Sequence, residues 1–434
     1  MKSQWPGIVG KATAMSTDTV PGRLITEKWK GGYDPASVRI IQYGTAMNEQ
    51  GILYGRRARS AIKDNLENFW EGMRQLGFTQ KEVYEDAELA KDQISAQARN
   101  EMLAVAEGSG CKFMDLLSYN LYHASIMPDG CTVYFAAGKA SKSGVTVFGK
   151  NSDKVGGAEL VGDRFFRNKE INVVLVSENE DGSRVVGVAA AGATGLKMGM
   201  NSKGVVAGTN IGRTQELKEK KLDLTKLRAI DRAMIIREGL RMDTALAATQ
   251  RAVTMLVESP TATPGNVEFA DANEAYIIES SYDRIAVKKV VDAVDSRANR
   301  FQVLENLNQK DDISSIARYY RSQELLKAKE GEITVDDLIA ISMDHGNGPG
   351  PCSICRHDER VEEETSLSAA VMEINKEQPE KSVIHVALGK PCHAWREEDG
   401  HISIPMDFKD GDIPEGFLNG DVFKKYYIEE ARFE

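Results

Sequence analysis

Cysteine is scarce in this chain: Cys111, Cys131, Cys352, Cys355 and Cys392 are the only five in 434 residues. So sparse and odd a set does not make a disulfide framework, and the expected setting is a reducing cytoplasm. Long apolar runs are missing too. No stretch reaches the ~18 consecutive apolar residues of a membrane span, and the first twenty residues lack the unbroken apolar core of a secretory signal. Positive charge is in deficit, with 55 Lys and Arg against 65 Asp and Glu. The net charge of -10 argues against nucleic acid or an anionic membrane as the main partner. Histidine numbers six, and nothing marks one Ser-His-Asp combination out from the many available. Internal repeats, low-complexity tracts and obvious linkers are absent, so one compact body is the simpler organisation.

What is present is ordinary globular composition, 41% hydrophobic and 28% charged. The first 130 residues read mostly as helix after an irregular start. Ala58, Ile62, Leu66, Phe69, Trp70, Met73 and Leu76 recur at steps of three and four, which is one helical face. Thr79 with Glu82 forms a capping-box pattern opening a second helix to about Ala106, where Gly108-Ser109-Gly110 stops it. A third helix over 113–123 leads to the turn Pro128-Asp129-Gly130.

The pattern then changes period. Residues 132–137 and 145–149 predict a hairpin around 138–144. Further strands are expected at 172–177, 183–189, 205–209, 266–270, 275–279, 285–290 and 382–387, and helices at 231–238, 244–257, 313–328 and 335–341. The charged run 215–226 reads as a solvated loop or helix start. This order predicts two sheets packed between helical layers.

Chemistry concentrates at Cys131, in Pro128-Asp129-Gly130-Cys131-Thr132. A cysteine opening a strand is often no more than a small buried hydrophobe. Here, though, the preceding glycine leaves its carbonyl open to the thiol. Attack on that carbonyl gives a thioester, and hydrolysis frees Cys131 as a new N-terminus with both a thiol and an α-amine. The amine, with an ordinary pKa near ~8, can act as the nucleophile's own base.

Other candidates fall at strand ends. In Gly149-Lys150-Asn151-Ser152-Asp153 the returning hairpin strand brings Asp153 near the start of the first, to orient the amine or thiol. Lys150 places positive charge beside the thiol. Asn210 can donate to a substrate carbonyl, and Asn299, in Arg297-Ala298-Asn299-Arg300-Phe301, suits an oxyanion hole. Arg318 can reach the same pocket from a helix or form a surface ion pair. The glycines around Gly195 to Gly208 lack the strand-loop-helix context of a nucleotide site. Cys352 and Cys355, with Cys392-His393, could make a zinc site, but the approach 346–351 reads as a packed loop, and no metal or organic cofactor is expected.

In order, these segments resemble the isopenicillin N acyltransferase family, the acyl-coenzyme A:6-aminopenicillanic acid acyltransferase-like branch of the N-terminal-nucleophile cysteine hydrolases. The resemblance covers about Gly51 to Pro405. Gly51-Ile52-Leu53-Tyr54-Gly55-Arg56 looks like the opening of the family's helical prosegment. Leu117-Ser118-Tyr119-Asn120 and Asp129-Gly130-Cys131-Thr132 look like its processing junction. His345, Cys352-Ser353-Ile354-Cys355-Arg356-His357 and Gly389-Lys390-Pro391-Cys392 look like its downstream loops. Lys150 departs from the Arg or Gln common in related enzymes, and Arg300 stands where a His commonly follows the Asn.

The resemblance implies an α+β fold, the four-layer αββα sandwich. It implies a prosegment (1–130) that stays associated, as the small subunit, with a catalytic region (131–434) after cleavage between Gly130 and Cys131. Cys131 would be the nucleophile, Asp153 the orienting group, Asn210 and Asn299 the substrate-carbonyl and oxyanion donors, with Lys150 and Arg318 in support. The expected function is that of an autocatalytically processed zymogen, a hydrolase or acyltransferase acting on small linear amides or thioesters. The alternatives are a dipeptidase-like peptidase and a non-catalytic zinc- or ligand-binding protein. Self-association into a homo-oligomer is left open.

Overall fold

The computed structural model describes residues 40–42, 47–75, 77–126, 129–155, 158–161, 164–167, 170–179, 181–215, 230–258, 264–282, 284–309, 312–348, 350–357, 364–387, 389–397 and 400–409. The start of the chain, Leu76, Pro128 and the charged run at 216–226 lie outside them.

After strand β1 (Ile40–Gln42) come helices α1 (Met47–Arg57), α2 (Arg59–Gln75), α3 (Gln80–Ala90), α4 (Ala96–Ser109) and α5 (Phe113–Ile126). The face of α2 that the spacing marked is buried: Ile62, Leu66, Phe69 and Met73 all point into the core. Thr79 and Glu82 close the expected reciprocal capping box on α3. The single long helix expected from there to Ala106 is instead two. A 3-10 turn at Lys91–Gln93 and an extended Ile94 break it, and Ser95 caps α4 by accepting from the Ala98 N–H. Burial of Ile94 fixes the break, which a run of good helix formers concealed. Gly110, at φ 70°, ends α4 in the left-handed conformation that suits glycine.

Helices α1 and α4 cross at glycines. A Cβ at Gly55 would lie 2.3 Å from the Val105 carbonyl oxygen, and one at Gly108 only 2.1 Å from that of Ile52. The Gly51/Gly55 spacing in the sequence is therefore a packing surface for α4.

One sheet combines β6 (Asn172–Glu178), β7 (Arg184–Ala190), β8 (Met198–Asn201), β9 (Val206–Ile211), β10 (Gly265–Ala270), β11 (Glu274–Ser280) and β12 (Ile285–Val291) as successive antiparallel neighbours. Strand β1 joins its edge in parallel against β6. The second sheet has the order β13-β2-β3-β14-β15-β16, from β2 (Asp129–Ala136), β3 (Val147–Val155), β13 (Val294–Arg297), β14 (Glu364–Glu373), β15 (Val383–Ala387) and β16 (His401–Pro405). A short pair, β4 (Ala158–Val161) with β5 (Arg164–Arg167), stands apart from both.

Three apolar layers glue these sheets into a sandwich. Tyr54, Phe69, Val105 and Leu117 of the N-terminal helices pack with helices α6 (Arg232–Gly239) and α7 (Ala245–Glu258) on the outer face of the first sheet, against Val173, Val185 and Phe269. Val133, Phe135, Phe148, Val186, Met198 and Ile277 fill the space between the sheets. Helices α8 (Ile313–Lys327) and α9 (Val335–Ser342) cover the second sheet through Tyr134, Val147, Leu326 and Leu338. The result is the expected four-layer αββα sandwich. No described helix is long and apolar enough to cross a membrane.

Strand limits needed correction where the site lies. β2 begins at Asp129, so Cys131 is its third residue rather than its first. β3 does not stop at Gly149: Lys150, Asn151, Ser152 and Asp153 are strand residues, all buried. Their polarity reads as a loop, but Asn151 is satisfied within the fold, accepting from the Tyr134 hydroxyl at 2.9 Å and donating to the carbonyls of Ser342 and Ile354. β14, rich in Ser, Ala and Glu, also escaped the sequence reading, although it pairs with both β3 and β15.

Candidate active site

Register puts Cys131 opposite Ser152 and Gly130 opposite Asp153. Side chains alternate along a strand, so Cys131 shares the inner face with Val133 and Phe135, while Thr132 and Tyr134 face the α8–α9 layer. On its other edge β2 pairs with β13, where Val133 meets Arg297. Beyond Arg297 the chain leaves the ladder, and a side chain takes over the pairing. Asn299 Oδ1 accepts the Cys131 N–H at 3.2 Å.

Arg318 completes this clamp from α8. It lies on the buried stripe Ser315, Arg318, Ser322, Leu326, the three-and-four spacing that aims one helix face at β2 and β13. Its Nη1 donates to the Cys131 carbonyl at 2.6 Å and to Thr132 Oγ1 at 3.0 Å, and its Nη2 donates to Asn299 Oδ1 at 2.6 Å. The planar fork thus grips the backbone of the candidate nucleophile and the side chain that holds its nitrogen. The surface ion pair that was one reading of Arg318 is not what forms, since the residue is wholly buried.

Asn299 is itself tied to the first sheet. Its Nδ2 donates to the Ile211 carbonyl at 3.0 Å, its own carbonyl accepts from the Arg213 N–H, and Asn266 Nδ2 reaches the carbonyls of Ala298 and Arg300. Glu279 secures the segment just beyond by accepting the N–H groups of Gln302, Val303 and Leu304, along with the Nε–H of Arg297. The Asn299 amide thus presents its oxygen to Cys131 and directs its donor elsewhere.

Asn210, the penultimate residue of β9, lies opposite Asn266, with its Nδ2 3.5 Å from the Arg297 carbonyl. Its Oδ1 is buried with no hydrogen-bond partner among the described residues. Lys150, opposite Val133, faces the inner layer, and its Nζ also makes no hydrogen bond among the described residues. Near it lies Glu268 of β10, a residue the sequence reading missed. Burial pushes its carboxyl up to about 8, against the pull of Arg297 and Lys150. The alternation Asn266-Val267-Glu268-Phe269-Ala270 was the available signal: its polar members share a face that a soluble sheet would normally turn to water.

Asp153 points the other way, toward the α8–α9 layer. Ser366 Oγ donates to its Oδ1 at 2.6 Å, and Arg356 Nη1 stands 4.0 Å from its Oδ2. The Arg356 N–H in turn donates to Ser366 Oγ. Beside this group, His345, Cys355, His357 and Cys392 converge from three chain segments, with one nitrogen or sulfur from each lying within 4.8 Å of all the others. Of the residues read from sequence as zinc candidates, Cys355 and Cys392 are in the cluster and Cys352 and His393 are outside it, while His345 and His357 join it. The Cys355-x-His357 spacing was legible, but the pairing with His345 was not.

Comparison with known proteins gives this geometry a family. Residues 140–380, more than half the chain, match the family model described as acyl-coenzyme A:6-aminopenicillanic acid acyl-transferase. The chain belongs to that family. The matched span holds Lys150, Asp153, Asn210, Asn299 and Arg318, and begins nine residues after Cys131. Among solved structures, the N-acylethanolamine-hydrolyzing acid amidase ortholog of Caenorhabditis elegans is 14% identical, covering 57% of this chain and 93% of its own, with a TM-score of 0.36. A mutant of the conjugated bile acid hydrolase of Clostridium perfringens is 12% identical over 64% of this chain and 92% of its own, at a TM-score of 0.36. A second variant of that hydrolase is 13% identical over 63% of this chain and 92% of its own, at a TM-score of 0.37. No curated protein matches the chain.

Proposed function

We propose that this family member is a self-processing cysteine amidohydrolase or acyltransferase, with Cys131 as nucleophile in both maturation and turnover. In maturation the Cys131 sulfur adds to the Gly130 carbonyl, the C–N bond breaks with a proton passing to the departing nitrogen, and a thioester forms. Water then hydrolyses the thioester, leaving a Gly130 carboxylate, a free thiol and a free α-amine. In turnover the amine accepts the thiol proton and the sulfur attacks a small linear amide or thioester. The leaving group departs with that proton, and the acyl-enzyme passes its acyl group to water or an amine.

The observation that carries this reading is the two-sided clamp on Cys131, its N–H on Asn299 and its carbonyl on Arg318. Such a clamp fixes the nitrogen that becomes the base and keeps the sulfur's backbone from moving during attack. In this reading Asn299 Oδ1 holds the new α-amine and Arg318 is a positioning residue. Asn210 supplies the donor for the substrate carbonyl and the oxyanion formed from it, while Asn299 keeps its oxygen on the amine. Lys150 favours the thiolate from the inner face, and Asp153 steadies the Gly130 side of the junction. The prosegment stays on as the small subunit.

Denaturing intact-mass analysis of the purified chain beside Cys131→Ala tests the proposal. We expect the wild type to split into pieces ending at Gly130 and starting at Cys131, and the variant to stay whole. A wild type that remains a single chain, and takes up no acyl group from amide or thioester substrates, rules the reading out.

A further inference from the structure

The cluster on the outer face of the second sheet takes no part in the chemistry above. His345 lies just beyond α9, and Cys355 and His357 lie on the loop before β14. Cys392 lies on the short helix α10 (Pro391–Ala394) that comes after β15. Cys355 and Cys392 are buried, and His357 Nε2 is 2.9 Å from Cys392 Sγ. The His345 and His357 rings meet edge to face with centroids 4.8 Å apart. His345 Nε2 is buried without a hydrogen-bond partner among the described residues. Two sulfurs and two imidazole nitrogens so gathered, contributed by separate segments, are hard to explain as packing alone.

We infer that His345, Cys355, His357 and Cys392 form a structural site for a borderline-soft divalent cation, zinc foremost. Thiolate and imidazole are the donors that zinc prefers. Tetrahedral coordination at ~2.3 Å to sulfur and ~2.0 Å to nitrogen separates neighbouring donors by roughly 3.3–3.8 Å. Mutual distances within 4.8 Å fit that arrangement after shifts of a few tenths of an ångström to an ångström. Four protein ligands leave no position open to substrate, which makes the site a staple rather than a catalyst. His357 Nε2 already lies 2.9 Å from Cys392 Sγ, and a cation bound among these donors would take the place of the thiol protons.

What the ion would staple is the support of Asp153. Arg356 is the residue between two ligands, Cys355 and His357, and it is the one that approaches Asp153 and binds Ser366. The Cys355 N–H is tied to the Asp344 carbonyl, next to His345. Binding therefore welds the α9 exit, the loop before β14 and α10 into one unit beneath β3.

Elemental analysis of the full-length protein, purified without chelator after growth in zinc-supplemented medium, is the test. Stoichiometric zinc is expected, lost in Cys392→Ser and in His357→Ala but kept in Cys352→Ser. It should also be kept in Cys131→Ala, which makes the result independent of the proposed catalysis. Should the ligand variants misfold, Co(II) exchanged into the wild type decides alone. Thiolate-to-cobalt charge-transfer bands and intense tetrahedral d–d bands support the site. Absence of both zinc and such bands overturns it, as does a Cys355–Cys392 disulfide seen as a loss of two hydrogens in the intact mass. Retention of the metal in well-folded Cys392→Ser or its loss in Cys352→Ser overturns the ligand set.

Discussion

Arg318 reaches at least five acceptors among the described residues from one guanidinium, and no other cation can copy that fork. Arg318→Lys should keep a charge near the Cys131 carbonyl but lose the grip on Asn299. Arg318→Ala should leave buried acceptors stranded at about 1–3 kcal/mol and slow splitting by on the order of 10²-fold, the scale of a misplaced reacting group. A mass-resolved time course in the order wild type, Lys, Ala checks it, and equal rates for all three would remove Arg318 from the site. Glu268 makes a different prediction. Its folded pKa, about 8, lies above its ordinary 4.5, so the native state holds a proton that the unfolded chain releases. Its contribution is intact below about 4.5 and is lost as pH rises to about 8, at up to ~1.4 kcal/mol per pH unit. Glu268→Gln should flatten the fall in Tm between about pH 5 and 8 relative to wild type, at little cost because the amide copies the protonated acid. An unchanged slope would mean that the carboxylate is ionised in the fold. At this scale Cys131 was readable from its own surroundings, and Asn299 and Arg318 through the family resemblance; the three come together. Glu268 and Ser366 were not readable, because each matters only through a partner distant in sequence and neither falls in a motif, and the tie of Arg356 to Asp153 was hidden for the same reason.

Among the elements, the α1–α4 crossing depends on the absence of side chains. Gly108→Ala would drive a methyl into the Ile52 carbonyl and should destabilise by about 1–3 kcal/mol as the helices separate. Gly110→Ala, with open space but φ 70°, should cost about 1 kcal/mol through backbone strain alone. Denaturant melts with fitted slopes distinguish them, and a neutral Gly108→Ala would mean the helices do not touch there. Periodicity located α2 and α7 to α9 to within a few residues because each has a wet and a dry face; α5 and α6 were placed as well, although none of their described side chains is exposed. It failed on β3 and β14, which carry polar side chains inward to specific partners. A strand whose polar residues are satisfied by neighbouring layers looks, in one dimension, like a loop.

At the scale of the molecule, the segment before Gly130 is not an appendage. Tyr54 donates to the Ala190 and Ala193 carbonyls and accepts the Gly192 N–H, Asn65 bonds Ile171 and Ala191, and Asn120 bonds Gly192 and Thr194. These residues, with the apolar helix faces, form most of one outer layer. After splitting, both pieces should therefore elute together in native size exclusion and separate only in denaturant. Elution apart in native buffer would show that the interface is weaker than this contact set implies.

The same layering fixes an order of events in time. A ribosome delivers α1–α5 first, but the residues they bond, at 171, 178 and 190–194 around β6 and β7, are synthesised later, and the clamp on Cys131 needs Arg318, later still. On the proposed reading, the Gly130–Cys131 bond therefore stays inert in a growing chain. Nascent chains arrested before residue 318 should remain uncut, and those released at full length should cut. The fold would then act as its own clock, withholding a reactive thiol until nearly three-quarters of the polypeptide has been made.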